Sequence, residues 1–217
     1  MSIREMKGVY AITDDRLLPG EDLYAAVTMA LDGGIAAVQY RSKGSDDGQQ
    51  VEIAQLLCAL CREYDVPLLI NDDVELCQLC GADGVHLGQR DAGVAEARKT
   101  LGPKALIGVT CNNSLEHARN AQNEGASYVA FGRFFPSLTK PAAPGAELGL
   151  LVQAKEELVV PIVAIGGITE ANAASVIEAG ADMIAVIHGL FGCSNVEHRA
   201  RKLCRLFDQR ELNVATP

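Results

Sequence analysis

The chain has 217 residues, of which 48% are apolar and 22% charged, so it can bury the core of one large domain over residues 1–217. Its formal net charge of −9 argues against nucleic acid and anionic membrane as partners, because both bind basic surfaces. No apolar run approaches the roughly 20 residues that cross a bilayer, and we expect no secretory leader because the first fifteen residues contain no long apolar run. We therefore expect a cytoplasmic protein with reduced cysteines.

Short apolar runs alternate with segments of helical period along the whole chain. The predicted strands cover residues 8–13, 35–43, 66–71, 82–87, 105–110, 126–132, 161–167 and 181–189. The predicted helices cover residues 22–34, 48–64, 73–81, 92–102, 113–125, 148–159, 169–180 and 195–211. About residues 211–217 are expected to form a flexible tail.

Regular alternation of strands and helices indicates a parallel sheet. Eight uninterrupted repeats predict that the sheet closes into a single-domain (β/α)8 TIM barrel, an α/β fold that would here be at the short end of its usual length. The alternative is an open, doubly wound sheet, but no glycine-rich dinucleotide fingerprint follows the first strand. In a barrel, the active site lies where the loops that follow the strands meet.

Two cysteine pairs have the spacing of a zinc ribbon. Cys58-x-x-Cys61 and Cys77-x-x-Cys80 are separated by fifteen residues. Each pair, however, lies on the apolar stripe of a predicted helix, and a strand rather than a turn-rich knuckle runs between them. The favoured interpretation is that these thiols are small buried apolar groups.

Polar side chains end the second predicted strand. Gln39, Arg41 and Lys43 alternate there, so they point to one side of an extended chain. Two cations and an amide on one face form a candidate anion site, and a solvated strand end is the alternative.

Acidic residues follow the third and fourth predicted strands. Asn71 and Asp72 end or follow the third, and Asp91 comes shortly after the fourth. Because these strands would be neighbours, Asp72 and Asp91 can converge on one Mg²⁺, which takes one or two carboxylates plus phosphate oxygens. Asp73 is expected to cap a helix, and capping is the alternative role for Asp91. His86 is expected to be a core histidine without a chemical role.

The longest segment without a period covers residues 133–149. Long loops in compact domains are usually functional or disordered. Ser137, Thr139 and Lys140 in this loop can bind phosphate oxygens, and the loop can act as a lid.

A second phosphate site is predicted at the last two strands. Gly166-Gly167-Ile168 follows the seventh strand, and His188-Gly189 ends the eighth. Loops at these positions of a barrel commonly bind phosphate through backbone N–H groups, which need glycine for close approach. Two anion sites in one mouth predict two phosphorylated substrates, or one substrate with phosphate at both ends.

These motifs resemble the thiamine-phosphate synthase family along almost the full chain. The matching stretches are YAITD (10–14), VQYRSK (38–43), LLINDD (68–73), GADGVHLGQRD (81–91), FGRFFPSLTK (131–140) and VAIGGI (163–168). The combination of IND with GADGVHLGQ-x-D is very specific, whereas VAIGGI occurs in many phosphate-binding barrels.

The resemblance implies an enzyme that joins a hydroxymethylpyrimidine diphosphate to a thiazole phosphate or its carboxylated precursor, with release of pyrophosphate and formation of thiamine phosphate. It implies a dissociative reaction in which a pyrimidine-methyl cation is captured by the thiazole nitrogen. It also implies a Mg²⁺ cofactor on Asp72 and Asp91 and catalytic roles for Arg41, Lys43 and Lys140. Substrate-binding positions implied in the same way are Gln39, Arg41, Lys43, Asn71, Thr110, Ser137, Thr139, Lys140, Gly167, Ile187 and His188. The implied partners are small phosphorylated molecules, and a homodimer is one assembly open to the chain.

The chain departs from the family pattern in three places: His188 stands where the family usually has serine, Thr110-Cys111-Asn112 replaces a more usual Ser-x-His, and Arg133 stands where proline or a small residue is frequent. Two alternatives stay open. A thiazole tautomerase on a similar barrel should not need the whole diphosphate-binding set, and a non-catalytic phosphate sensor should not need metal carboxylates.

Overall fold

The strands pair in sequence order and close into a parallel barrel, β1-β2-β3-β4-β5-β6-β7-β8, in this computed structural model. The structure describes residues 6–42, 47–89, 91–137, 139 and 144–214. The strands are β1 Gly8–Ile12, β2 Ala37–Tyr40, β3 Leu68–Asn71, β4 Gly84–Leu87, β5 Leu106–Asn112, β6 Tyr128–Phe131, β7 Ile162–Ile165 and β8 Met183–Val186. The barrel closes where Gly8 to Ala11 of β1 pair with Met183 to Val186 of β8. The predicted fold class is therefore confirmed.

A helix follows each strand on the outside of the barrel. Within the described ranges the helices are α1 Asp22–Asp32, α2 Asp47–Glu63, α3 Val74–Cys80, α4 Val94–Leu101, α5 Leu115–Asn123, α6 Leu148–Glu157, α7 Ala173–Glu178, α8 His188–Phe191 and α9 Val196–Val214. Among these helices, none has the length and apolar composition to span a bilayer. Asp73 caps α3 as predicted, since its Oδ1 accepts a hydrogen bond from Leu76 N at 2.8 Å.

Strand β1 shows how the barrel divides its core in two. Val9 and Ala11 face outward into the apolar layer between sheet and helices, while Tyr10 and Ile12 face the barrel axis. This alternation follows from the period of two along a strand, and both faces are apolar because both are covered.

Three even-numbered strands begin with the same bond to the strand before them. Asp83 Oδ2 accepts from Leu68 N at 2.8 Å, Ser127 Oγ accepts from Ile107 N at 2.9 Å, and Asp182 Oδ2 accepts from Ile162 N at 2.9 Å. In each case the residue whose side chain accepts this bond also donates its own backbone N–H to the carbonyl oxygen of the same residue of the preceding strand. We call each of these pairs of bonds a lock. The three locks satisfy backbone groups at the starts of β3, β5 and β7, at the N-terminal end of the barrel.

Some predicted boundaries are wrong. Strand β2 ends at Tyr40, so Arg41 lies just beyond it rather than within a strand that reaches residue 43. Strand β8 ends at Val186, and His188 begins the one-turn helix α8 instead of ending the strand. The last helix runs to Val214, so the tail expected from about residue 211 is helical in its first part.

All seven cysteines are free thiols. Cys58, Cys61, Cys77 and Cys80 are buried in the helical layer, and burial raises the pKa of Cys61 and Cys77 to about 12. Across the part of the chain that the structure describes, no group of three or more His, Cys, Asp or Glu side chains is placed to hold a metal ion. The interpretation of these cysteines as apolar packing groups agrees with this placement.

Candidate active site

A cavity of about 280 Å³ opens at the C-terminal end of the barrel. Ten of the residues predicted from the sequence line it: Gln39, Arg41, Asn71, Asp72, Thr110, Ser137, Thr139, Gly167, Ile187 and His188. Its floor is the barrel axis, where the short side chains Ala130 and Ala185 leave room above the interior core. Lys43 and Lys140 lie outside the described residues, and their roles stay predictions.

The two predicted metal carboxylates face one small space beside Gly88. A Cβ atom added to Gly88 would lie 2.7 Å from Asp91 Oδ2 and 3.9 Å from Asp72 Oδ1. Asp91 Oδ2 accepts a hydrogen bond from Gly88 N at 2.6 Å, so it folds the loop after β4 back toward β3. Asp91 does not cap α4, whose N-cap is Gly93. Glycine at position 88 is what allows the carboxylate to approach so closely.

Asp72 is held in an uncommon backbone conformation. Its φ is +64°, which is unfavourable for a residue with a side chain, although aspartate tolerates it better than most. Asp72 N donates to the His86 carbonyl oxygen at 2.8 Å, and Asn71 Nδ2 donates to Asp72 Oδ2 at 2.7 Å. Residues kept in sparsely populated conformations cluster at functional sites, and here two hydrogen bonds hold the carboxylate at the cavity.

This donor set fits Mg²⁺. Magnesium prefers oxygen ligands and usually binds one or two carboxylates while substrate phosphate oxygens and water supply the rest. Asp72 and Asp91 supply two carboxylates on the loops of neighbouring strands, on the side of the cavity that also contains Arg41. A third protein ligand is not required for a metal bound in this way.

Arg41 is fixed by an acidic residue that we did not single out from the sequence. Its Nη1 donates to Asp14 Oδ2 at 2.9 Å, and both side chains are about nine-tenths buried. The Arg41 backbone N–H also donates to Thr13 Oγ1 at 2.9 Å. Asp14 therefore positions the guanidinium at the rim, while the remaining guanidinium N–H groups of a planar fork suit a phosphate.

The opposite side of the cavity is built from glycine turns. Gly167 has a φ of +64°, and a Cβ there would overlap the Pro136 carbonyl oxygen. A Cβ at Gly189 would overlap the Ile168 carbonyl oxygen. The chain after β7 therefore packs directly on the loop that carries Ser137 and on the start of α8. Phosphate commonly binds at this place in barrels, between the loops after strands seven and eight and a short extra helix.

A buried relay of hydrogen bonds crosses the floor of the cavity. Gln39 Nε2 donates to Tyr10 Oη at 2.7 Å, and Tyr10 Oη lies 2.9 Å from Tyr128 Oη. Tyr128 Oη lies 2.9 Å from His86 Nδ1, and His86 Nε2 lies 2.8 Å from Thr110 Oγ1. The relay joins two predicted substrate-binding residues, Gln39 and Thr110, through three side chains to which we assigned no role.

The relay residues were missed because each looks ordinary in sequence. Tyr10 and Tyr128 lie 118 positions apart in apolar runs, and His86 lies in a strand where a core histidine was expected. The expectation of a core histidine was right, since His86 is 9% exposed, and the structure also places His86 among the residues that line the cavity. One usable sequence signal was Gly108, because a glycine inside a strand often marks the close approach of another group. In the structure that group is the Tyr128 ring, which a Cβ atom at position 108 would overlap.

A closed parallel barrel with carboxylates on one side of its mouth and glycine turns on the other defines a class of phosphate-binding (β/α)8 proteins. The family model "Thiamine monophosphate synthase" matches residues 9–190. On that match and on the relatives below, the chain belongs to the thiamine monophosphate synthase family, as the resemblance predicted.

Three relatives show how far the likeness extends. A thiamine-phosphate synthase from Thiobacillus denitrificans is 54% identical over 201 residues, or 92% of this chain and 94% of that protein. One from Saccharophagus degradans is 51% identical over 209 residues, or 96% of each chain. The solved thiamine phosphate pyrophosphorylase from Pyrococcus furiosus superposes with a TM-score of 0.86 at 35% identity and covers 96% of this chain and 98% of its own.

Proposed function

We propose that this chain is a thiamine-phosphate synthase, a transferase that forms a C–N bond with loss of pyrophosphate. Its substrates are 4-amino-2-methyl-5-hydroxymethylpyrimidine diphosphate and 4-methyl-5-(2-phosphoethyl)thiazole, or the carboxylated thiazole precursor. The single observation that carries the proposal is the two-sided cavity, with carboxylates and Arg41 on one side and the Gly167 turn with His188 on the other. Relatives at about half identity over most of the chain carry the same activity in their names.

The diphosphate is bound on the carboxylate side. Asp72 and Asp91 would hold Mg²⁺, which when bound would supply positive charge for the leaving pyrophosphate. Arg41, kept in place by Asp14, donates hydrogen bonds to the same oxygens. Lys43 and Lys140 add positive charge in this proposal, and Asn71 and Thr110 contact the same substrate.

The thiazole phosphate is bound on the glycine side. The backbone at Gly167 approaches its oxygens, and Ile187 and His188 close the site from the end of β8. Ser137 and Thr139 contribute hydroxyl groups from the loop after β6. The imidazole of His188, in place of the family's usual serine, donates one hydrogen bond from the exposed rim of the cavity.

This division needs little acid–base chemistry. A dissociative reaction separates charge before the new bond forms, so the chain's main tasks are to stabilise pyrophosphate and to hold the thiazole nitrogen near the pyrimidine methylene carbon. Holding two reactants in a productive geometry is worth roughly 7–11 kcal/mol in well-oriented cases. Burial of the reacting carbon in the barrel mouth also excludes water, which would otherwise capture the cation.

The proposal includes a cytoplasmic location, Mg²⁺ as cofactor, small phosphorylated molecules as partners and a homodimer as one possible assembly. Seven free thiols suit a reducing compartment. An acidic chain needs the metal and a local cluster of cations to bind two anions, because the overall field repels them.

The direct test mixes both phosphorylated heterocycles with the purified chain and Mg²⁺ and measures pyrophosphate and thiamine phosphate. We expect equal amounts of both products, no product when either substrate is omitted, and loss of activity with a chelator that excess Mg²⁺ restores. Absence of pyrophosphate release by folded protein would refute the synthase. Isomerisation of the thiazole without pyrophosphate would support the tautomerase instead.

A further inference from the structure

Counting donors and acceptors gives a direction to every bond of the buried relay. A phenol has one hydrogen, a neutral imidazole has one N–H, and an amide nitrogen only donates. Because Gln39 Nε2 donates to Tyr10 Oη, the one hydrogen of Tyr10 goes to Tyr128 Oη. The hydrogen of Tyr128 then goes to His86 Nδ1. Neutral His86 therefore carries its own hydrogen on Nε2 and donates it to Thr110 Oγ1.

Neither phenol can change this order of donors and acceptors by losing its hydrogen. Tyr10 is 1% exposed and Tyr128 is 0% exposed, and burial raises the pKa of both hydroxyl groups, so they stay neutral donors. A phenol hydrogen left without an acceptor at this depth is unfavourable, because the buried donor has lost its hydrogen bond to water. The relay consequently has two self-consistent polarities, the one described and its complete reversal, and the orientation of the Gln39 amide selects between them.

The polarity decides what each end offers a ligand. With one Nε2 hydrogen of Gln39 bound to Tyr10 Oη, the terminal amide atom of Gln39 that lies outside the relay is the acceptor Oε1. With Thr110 Oγ1 accepting from His86, the Thr110 hydroxyl hydrogen is the group directed to a ligand. Reversal would exchange the two, giving a donor at Gln39 and an acceptor at Thr110.

We propose that the relay is a specificity device, in which Tyr10, Tyr128 and His86 are positioning residues that hold an acceptor at Gln39 and a donor at Thr110. The site thereby selects a substrate with a ring amino group beside Gln39 and an anionic oxygen beside Thr110. The proposal rests on the proposed function and deepens it, because it names the feature of the pyrimidine diphosphate that the barrel floor reads: an amino group rather than a ring carbonyl.

The hydrogen positions can be measured without any activity. Long-range ¹H–¹⁵N NMR of uniformly labelled protein reports which ring nitrogen of His86 carries hydrogen, and a Tyr128→Phe variant assigns the His86 signals by their shift. We expect hydrogen on Nε2 alone in the wild type. Hydrogen on Nδ1 would mean the reverse polarity and would overturn the proposal whether or not the chain is a synthase.

Substrate discrimination tests the consequence. The ratio of kcat/KM for the aminopyrimidine diphosphate to that for its 4-oxo analogue is measured in the wild type, Tyr10→Phe and Tyr128→Phe. A site built to hydrogen-bond a group discriminates strongly against analogues that leave its polar atoms unpaired. We expect the ratio to fall by about tenfold or more in Tyr10→Phe, because the Gln39 amide is then free to turn and donate to the carbonyl. We expect a fall in the same direction in Tyr128→Phe.

The KM for the thiazole phosphate should be unchanged in both variants, since its site lies across the cavity. Met183→Leu is the matched control: Met183 is equally buried in the barrel interior but does not line the cavity, so discrimination should stay at the wild-type value. An unchanged ratio in both phenylalanine variants would show a merely structural relay. If the wild type makes no product, the proposed function fails, and calorimetric binding of the two pyrimidine diphosphates reads the same ratio.

Discussion

The two ends of the barrel use polar side chains in different ways. At the N-terminal end Asp83, Ser127 and Asp182 each accept a hydrogen bond from the backbone of the preceding strand, in one repeated geometry. At the C-terminal end the pattern is irregular: Asn71 donates to the side chain of Asp72, whose backbone has a φ of +64°. The same parallel strands therefore end in regular locks on one side and in strained, ligand-facing groups on the other.

This difference separates stability from activity. A side chain that accepts a hydrogen bond from a buried backbone N–H contributes to folding, but it is not available to contact a ligand. A carboxylate directed into a cavity, by contrast, contributes little to folding. Substitutions at the N-terminal end should then lower the free energy of unfolding and leave activity intact. Substitutions at the mouth should lower activity and leave the free energy of unfolding nearly unchanged. A single substitution that lowers both would break the comparison.

The largest effect is expected at the mouth, for Asp91→Asn. The asparagine carbonyl oxygen can still accept the hydrogen bond from Gly88 N, so the loop keeps its shape while the metal loses a charged ligand. We expect kcat/KM to fall by roughly 10²–10³-fold, as for other lost electrostatic contacts to a developing charge. The Mg²⁺ concentration for half-maximal activity should rise, as measured by pyrophosphate release.

Urea unfolding supplies the second half of that test. The free energy of unfolding of Asp91→Asn should stay within about 0.5 kcal/mol of the wild type, as is usual for exposed positions. An unchanged Mg²⁺ titration would remove Asp91 from the metal site. A large loss of stability would show that the mouth and the scaffold are not separate.

The opposite pattern is expected for Ser127→Ala. Ser127 is 3% exposed, and its Oγ accepts the hydrogen bond of the buried Ile107 N–H at 2.9 Å. Without that acceptor the N–H is buried and unpaired, which costs about 1–3 kcal/mol of the free energy of unfolding. Measured kcat/KM should match the wild type, because Ser127 lies at the far end of β6 from the cavity.

Lys155→Gln is the control for charge at the same end. Lys155 Nζ lies 2.6 Å from Asp182 Oδ1, but 48% of its side chain is exposed, and such surface pairs contribute only about 0–1 kcal/mol. The Asp182 bond to Ile162 N is left intact. A loss as large as that of Ser127→Ala would show that the locks act through ion pairs and not through the backbone.

The sequence was sufficient for the barrel but not for its interior. Apolar runs separated by helical periods predicted every strand, because buried parallel strands need no polar residues. The same property hides which side chains face the axis: Val9 and Tyr10 are both apolar-looking neighbours, and only closure of the sheet puts Tyr10 inside. Helix α8 was missed because four residues are too few to show a period.

The candidate site, too, could be predicted only in part from the sequence. Polar residues after strands are visible in sequence, and the resemblance to a known family gave most of their roles, which stay predictions for the individual residues. Asp14 and the three inner relay residues were not found, since their partners come from distant parts of the chain: Asp14 pairs with Arg41 and Tyr10 with Tyr128. Such contacts depend on which strands close the barrel.

The smallest effect is a pH dependence that belongs to the N-terminal end. Burial raises the pKa of Cys61 to about 12, with a smaller contribution from the charge of Asp83. The thiol of an unfolded chain has a pKa of about 8.5. The folded state therefore keeps a proton that the unfolded state loses, so this thiol's contribution to stability is complete below about pH 8.5 and is lost as the pH rises toward 12. Cys77 follows the same sign, with its pKa also raised to about 12, mainly by burial.

Cys61→Ala isolates that contribution from all other titrations. Urea unfolding at pH 8 and pH 9.5 should show the wild type losing about 1 kcal/mol more than the variant over this interval, whatever the variant's absolute stability. The absolute stability is a poor readout because the shorter side chain leaves a cavity. Equal losses in the two proteins would mean that Cys61 ionises in the folded state, and hence that water reaches the helical layer beside Asp83. The ratio of kcat in the two proteins should stay constant over the same interval, because the thiol and the cavity lie on opposite sides of the strands.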